Sequence, residues 1–141
     1  MERSHSDRSN SPPIALSNST ANQGYFLSAK VNNNLITLLL DTGANATILS
    51  KNVIEKWPYA TRPNLTPVAT TLITVTGETT PFLGRCDVEI CLGKQTIEHS
   101  VLIADIEMDG VLGLDFLLSH QCDLMLSKGY ITLKGEMFYA L

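Results

Sequence analysis

The feature that most constrains this chain is an acid planted at the end of an apolar run, Leu38-Leu39-Leu40-Asp41-Thr42-Gly43-Ala44. Such a run belongs in a core. A carboxylate carried to its edge must be paired, hydrogen-bonded or protonated, because burying an isolated charge is costly. Gly43 lets the backbone turn sharply and lets another chain come close. The pattern predicts a buried strand that delivers Asp41 to a cleft. Asp-Thr-Gly on its own is also an ordinary turn tripeptide, so its surroundings decide. Ala44 follows it, and a second signal lies downstream in Gly110-Val111-Leu112-Gly113-Leu114-Asp115-Phe116-Leu117. There, apolar residues precede a glycine and a short helical pattern follows.

The chain has 141 residues, enough for one domain with a core. Residues 1–23 are rich in Ser, Asn and Pro and read as a flexible leader or linker, with one domain over 24–141. Two strands are expected at 25–31 and 35–40, joined by a turn at Asn32-Asn33-Asn34. A short strand at 47–49 follows, then a helix over 51–57 capped by Ser50 and stopped by Pro58. Residues 69–75 and 79–90 read as a long hairpin with a polar tip at Thr76-Gly77-Glu78 and a break near Gly84. A strand at 95–104, an acidic loop at 105–109 and a second short helix at 114–120 come next. Strands at 123–126, 130–133 and 137–141 complete the chain, with Gly129 and Gly135 at turns. Many short strands with regular turns predict an all-β fold in which the helices are minor.

A net charge of −4 gives no electrostatic reason to expect nucleic acid or a membrane as partner. No apolar stretch approaches membrane-spanning length, and the polar start has no signal-peptide core, so a cytoplasmic location is expected. Cys86, Cys91 and Cys122 are odd in number and form no CxxC pair, which favours free thiols. His99 and His120 read as isolated histidines, at the surface or satisfied in the core. No ligand cluster surrounds His120-Gln121-Cys122, so neither a metal nor a cofactor is expected. Asp115 reads as a helix-start cap or a surface contact. No Ser/His/Asp order, Cys/His pairing or phosphate loop stands out.

Together the two motifs resemble those of the retropepsins, the aspartic proteases of retroviruses and LTR retrotransposons. Leu39-Leu40-Asp41-Thr42-Gly43-Ala44 resembles their catalytic motif, and Val111-Leu112-Gly113 resembles the apolar-apolar-Gly element beside it. The continuation Gly-Leu-Asp-Phe-Leu is more like a retrotransposon enzyme or a domesticated cellular relative than a lentiviral one. The resemblance runs from about residue 25 to residue 141. It implies a closed, barrel-like retropepsin fold with a flap hairpin, working as a symmetric homodimer. Chemistry points the same way. Peptide hydrolysis needs one carboxylate to take a proton from water and another, protonated, to bond the scissile carbonyl. Closely placed like charges cannot both ionise cheaply, so such a pair titrates in separated steps. A chain with a single Asp-Thr-Gly must obtain its second carboxylate from a twin across a two-fold axis.

By this resemblance Asp41, Thr42 and Gly43 form the catalytic turn, with the Thr42 hydroxyl bonding across to the partner loop. Gly43 and Asn45 would hydrogen-bond an extended peptide in β fashion. Val75, Thr76 and Gly77 would belong to the flap and its tip. Ala44, Ile48, Val75 and Leu112 are candidate pocket walls, with plain core packing open for each. Retroviral members carry Asp where this chain has Asn45 and Arg where it has Leu114, and those residues form an ion pair there. Both halves are absent here, which implies a dimer held differently, in equilibrium with monomer at low concentration. The apolar segment 137–141 would be an exposed edge unless it joins the interface. Expected substrates are a Gag-Pol-like polyprotein and the enzyme's own precursor. Two alternatives stay open: an inactive dimerisation or peptide-binding module, and a cellular protease with a narrow regulatory substrate.

Overall fold

The computed structural model describes residues 14–15, 24–73 and 76–141. Its strands are β1 (Ile14–Ala15), β2 (Tyr25–Val31), β3 (Asn34–Leu40), β4 (Ile48–Ser50), β5 (Thr71–Ile73), β6 (Thr79–Pro81), β7 (Gly84–Leu92), β8 (Gln95–Ala104), β9 (Gly110–Leu112), β10 (Asp123–Met125), β11 (Tyr130–Leu133) and β12 (Glu136–Tyr139). Helix α1 spans Lys51–Ile54 and α2 spans Leu114–Ser119. Six strands close a barrel in the order β2-β3-β9-β4-β8-β7. β1-β5-β6 and β10-β11-β12 form two small sheets outside it.

Local chemistry explains most of these elements. Asn32 and Asn33 take the left-handed conformation at φ 48° and 69°, which Asn tolerates better than most residues, and this reverses β2 into β3. Side chains along β7 alternate between buried and exposed, as a strand with one face on the core should. β3 instead ends in three consecutive buried leucines, Leu38, Leu39 and Leu40, which marks a strand covered on both faces. The main core gathers Leu38, Leu40, Leu112, Phe116 and the inner face of β7. A second cluster of Ala44, Ile48, Leu72, Phe82, Leu102 and Val111 lies apart from it.

The strand order decides where the site forms. β9 pairs parallel with β3, Leu40 opposite Leu112, and antiparallel with β4, Ile48 opposite Val111. The loop 41–47 leaves β3 and returns as β4, so it must pass over the end of β9.

Several elements differ from the sequence expectation. Helix α1 stops at Ile54, because the chain tightens there into i→i+3 bonds that bring in the buried Trp57. A 3-10 turn at Tyr59–Thr61 was not expected. β9 was not expected as a strand either; three residues are too short for a periodic signal. Within the expected leader, Ile14–Ala15 pairs parallel with β5, and the rest of 1–23 lies outside the described residues. The exposed carboxyl-terminal edge is present: β12 borders its sheet, with Met137 46%, Tyr139 63% and Leu141 77% exposed. All three cysteines are free thiols, and burial, helped by Asp87 and Asp123, pushes Cys86 and Cys122 up to about 11.

Candidate active site

Asp41 sits where β3 runs out, and only 6% of it is exposed. Its backbone N–H donates to Leu112 O at 3.1 Å, and its carbonyl accepts from Ala44 N–H at 3.2 Å. Its carboxylate oxygen Oδ1 accepts the Gly43 N–H at 2.9 Å. The turn thus aims the acid with its own backbone. Thr42, Gly43 and Asn45 are exposed around it. The arrangement presents an oriented carboxylate beside open backbone, able to take a proton from water.

Gly113 explains the apolar-apolar-Gly element. A Cβ there would lie 2.9 Å from Ala44 O and closer still to Ala46 O. The crossing loop rests directly on this residue, and no side chain fits between them. Leu114 N–H donates to Ala44 O at 2.8 Å and Asp115 N–H to Asn45 O at 3.3 Å, so the start of α2 is stitched to the same loop.

A hairpin made of β5 and β6 stands near the loop in the second cluster. Leu72 is fully buried and Phe82 7% exposed, and both anchor its base. Its tip, with Thr76, Gly77 and Glu78, is exposed. Gly77 has φ +88° with open space where a Cβ would go, so the glycine serves the turn and not a packing contact.

A sequence family described as "gag-polyprotein putative aspartyl protease" matches residues 27–119, from β2 through α2, and takes in both motifs. The chain belongs to this family. It is thus a retropepsin-family aspartic protease in sequence, and its barrel agrees with solved structures. The retroviral protease-like domain of Ddi1 from Leishmania major superposes with a TM-score of 0.67 at 19% identity, covering 84% of this chain and 91% of that one. EIAV protease, solved in complex with the inhibitor HBY-793, superposes with a TM-score of 0.61 at 22% identity, covering 77% of this chain and 99% of that one. At these identities the likeness establishes the retropepsin-like fold.

The residues expected to line substrate pockets divide within this retropepsin fold. Gly43, Asn45, Thr76 and Gly77 are exposed. Ala44, Ile48 and Leu112 have no exposed surface and pack inside the chain. Val75 lies outside the described residues. Asn45 is exposed and Leu114 packs against the main core, so the ion pair of the retroviral members has no counterpart at these positions.

The reading of His99, His120 and Asp115 needs correction. The histidines are not isolated, and Asp115 is more than a cap. Asp115 Oδ1 accepts from Thr47 Oγ1 at 2.8 Å, and its Oδ2 lies 2.8 Å from His99 Nε2. His99 Nδ1 lies 3.1 Å from His120 Nε2. The partners are distant in sequence, and nothing local announces them. Burial pushes the Asp115 carboxyl up, but the bonds from His99 and Thr47 and from the backbone outweigh it, and the net direction is down.

Proposed function

We propose that this chain is a homodimeric aspartic endopeptidase that hydrolyses peptide bonds with two Asp41 carboxylates, one from each copy. The placement of Asp41 carries the proposal: a nearly buried acid, aimed by Gly43 N–H, on a turn whose Thr42, Gly43 and Asn45 face outward. One carboxylate takes the proton from water while the other, protonated, polarises the scissile carbonyl and supplies the proton for the departing amine. Thr42 of each turn reaches across to the other turn and fixes the two acids. An extended peptide lies between the Gly43–Asn45 backbone and the Thr76–Gly77 tip of the hairpin, which acts as a flap and lends β-like hydrogen bonds. Without the Asp–Arg pair of retroviral members, the dimer dissociates at low concentration. Sedimentation that showed only dimer at nanomolar protein would count against this last point.

The substrate class is a Gag-Pol-like polyprotein, the precursor of this chain included, in the cytoplasm or in virus-like particles. Likeness to the Ddi1 domain supports a second reading, a cellular protease with a narrow regulatory substrate. The test is cleavage of peptides and of candidate precursors by the full chain. Turnover blocked by a statine-type inhibitor and absent in Asp41→Asn supports the proposal. Dimer formation with no turnover on any substrate favours an inactive peptide-binding module.

A further inference from the structure

A continuous polar chain runs from beneath the catalytic loop to the surface. Gly113 N–H donates to Thr47 Oγ1 at 3.1 Å, and Thr47 Oγ1–H donates to Asp115 Oδ1 at 2.8 Å. Asp115 Oδ2 meets His99 Nε2 at 2.8 Å, and His99 Nδ1 meets His120 Nε2 at 3.1 Å. Thr47 has no exposed surface, and the side chains of His99 and Asp115 are 11% and 30% exposed. Phe116, at 0% exposure, packs its ring edge-on to His99 and tilted against His120, at centroid distances of 5.1 and 4.6 Å.

Valence assigns the protons. Thr47 accepts from Gly113, so its one hydroxyl proton goes to Asp115. An ionised carboxylate only accepts, so His99 Nε2 carries a proton. The facing nitrogens of His99 and His120 can share one proton and not two. The pair therefore carries at most one positive charge while the contact lasts, and a second proton must part the rings. The charged groups around His120 are Asp115 on α2, His99 on β8 and Lys134 between β11 and β12, with Asp123 lining the same surface cleft. Burial, then the charges of His99 and Lys134, hold His120 below its ordinary value, with Asp115 opposing.

We propose that Asp115, His99 and His120 are positioning residues for the catalytic loop: the carboxylate fixes the Thr47 hydroxyl beneath Gly113, and the proton count on the imidazole pair sets how firmly. The loop is bonded to the start of α2 at Ala44 O, Asn45 O and Thr47 Oγ1, so loosening Asp115 loosens the backbone that aims Asp41. The relay rests on the endopeptidase reading for its effect on rate, but not for its effect on structure.

The experiment uses the full chain and two readouts: kcat and KM against pH on a cleaved peptide, and NMR titration of the imidazole nitrogens with the Gly113 and Ala44 amides. Asp115→Ala should lower kcat about tenfold while KM stays within about twofold. His99→Gln, whose amide can still donate to Asp115, should stay within about threefold of wild type at neutral pH and lose part of the acid limb. In wild type the two amides should shift in step with the imidazoles. Amides that do not follow the imidazoles, or a His99→Gln pH profile identical to wild type, would overturn the relay. If Asp115→Ala fails to fold, His99→Gln and the wild-type titration still decide. Coupled titration in a chain that cleaves nothing would sink the endopeptidase reading and leave the relay standing.

Discussion

Two acids stand beyond the ends of two parallel neighbours, β3 and β9, and the molecule holds them in different ways. Asp41 takes a donor from its own turn, the Gly43 N–H two residues on. Asp115 takes donors from Thr47 and His99, 68 and 16 residues away. An acid aimed by its own turn can face outward toward a ligand. An acid held by distant side chains ties those elements together and has less freedom to react. The first is suited to chemistry and the second to holding the first in place.

The largest contrast should appear on removing each charge. Asp41→Asn is nearly isosteric and should cut peptidase rate by at least about 10³-fold while the melting temperature hardly moves. Asp115→Asn keeps an acceptor for Thr47 and should cost less than about tenfold, read in the same assay. Equal losses at the two positions would erase the distinction. Next comes the glycine on which both acids depend. Gly113→Ala forces a methyl group against Ala44 O and Ala46 O and should destabilise the fold by about 2–3 kcal/mol in urea unfolding.

Acid should act through the second acid's network. His120 titrates below its ordinary value of 6.5, mainly through burial, and Asp115 ends below 3.8 because hydrogen bonds from His99 and Thr47 outweigh its burial. In both cases the unfolded chain takes up a proton that the folded chain resists, so stability rises with pH between the folded and unfolded values. The His120 contribution is complete above 6.5 and is lost as pH falls through its folded value; the Asp115 contribution is complete above 3.8 and is lost as pH falls further. Melting temperature should decline on the acid side of neutrality, and His120→Gln should remove the first part of that decline. The smallest effect is expected at the hairpin tip. Gly77→Ala meets no neighbour but must hold φ +88°, costing about 1 kcal/mol, with KM moving more than kcat.

The same contrast explains what could be read from the sequence. Asp41 was legible because its signal is local: an apolar run before it and a glycine after it. β2 was legible at both ends, closed by an asparagine turn, and β8 was legible where it runs into an acidic loop. β9 was not legible, since its strand character comes from lying between β3 and β4 and not from its own three residues. Ala44 and Leu112 could not be divided between pocket and core by composition, because either site takes small or aliphatic residues. The His99–His120 contact arises only when β8 and α2 pack around Phe116.

The most direct measurement is the separation of the two Asp41 carboxylates in a dimer of this chain bound to a peptide-like inhibitor. The expected result is a pair within about 3 Å of each other, related by a two-fold axis, with the Thr42 side chains behind them. A protein that cleaves peptides while its Asp41 side chains never meet, or while it stays strictly monomeric, would contradict the shared-site mechanism.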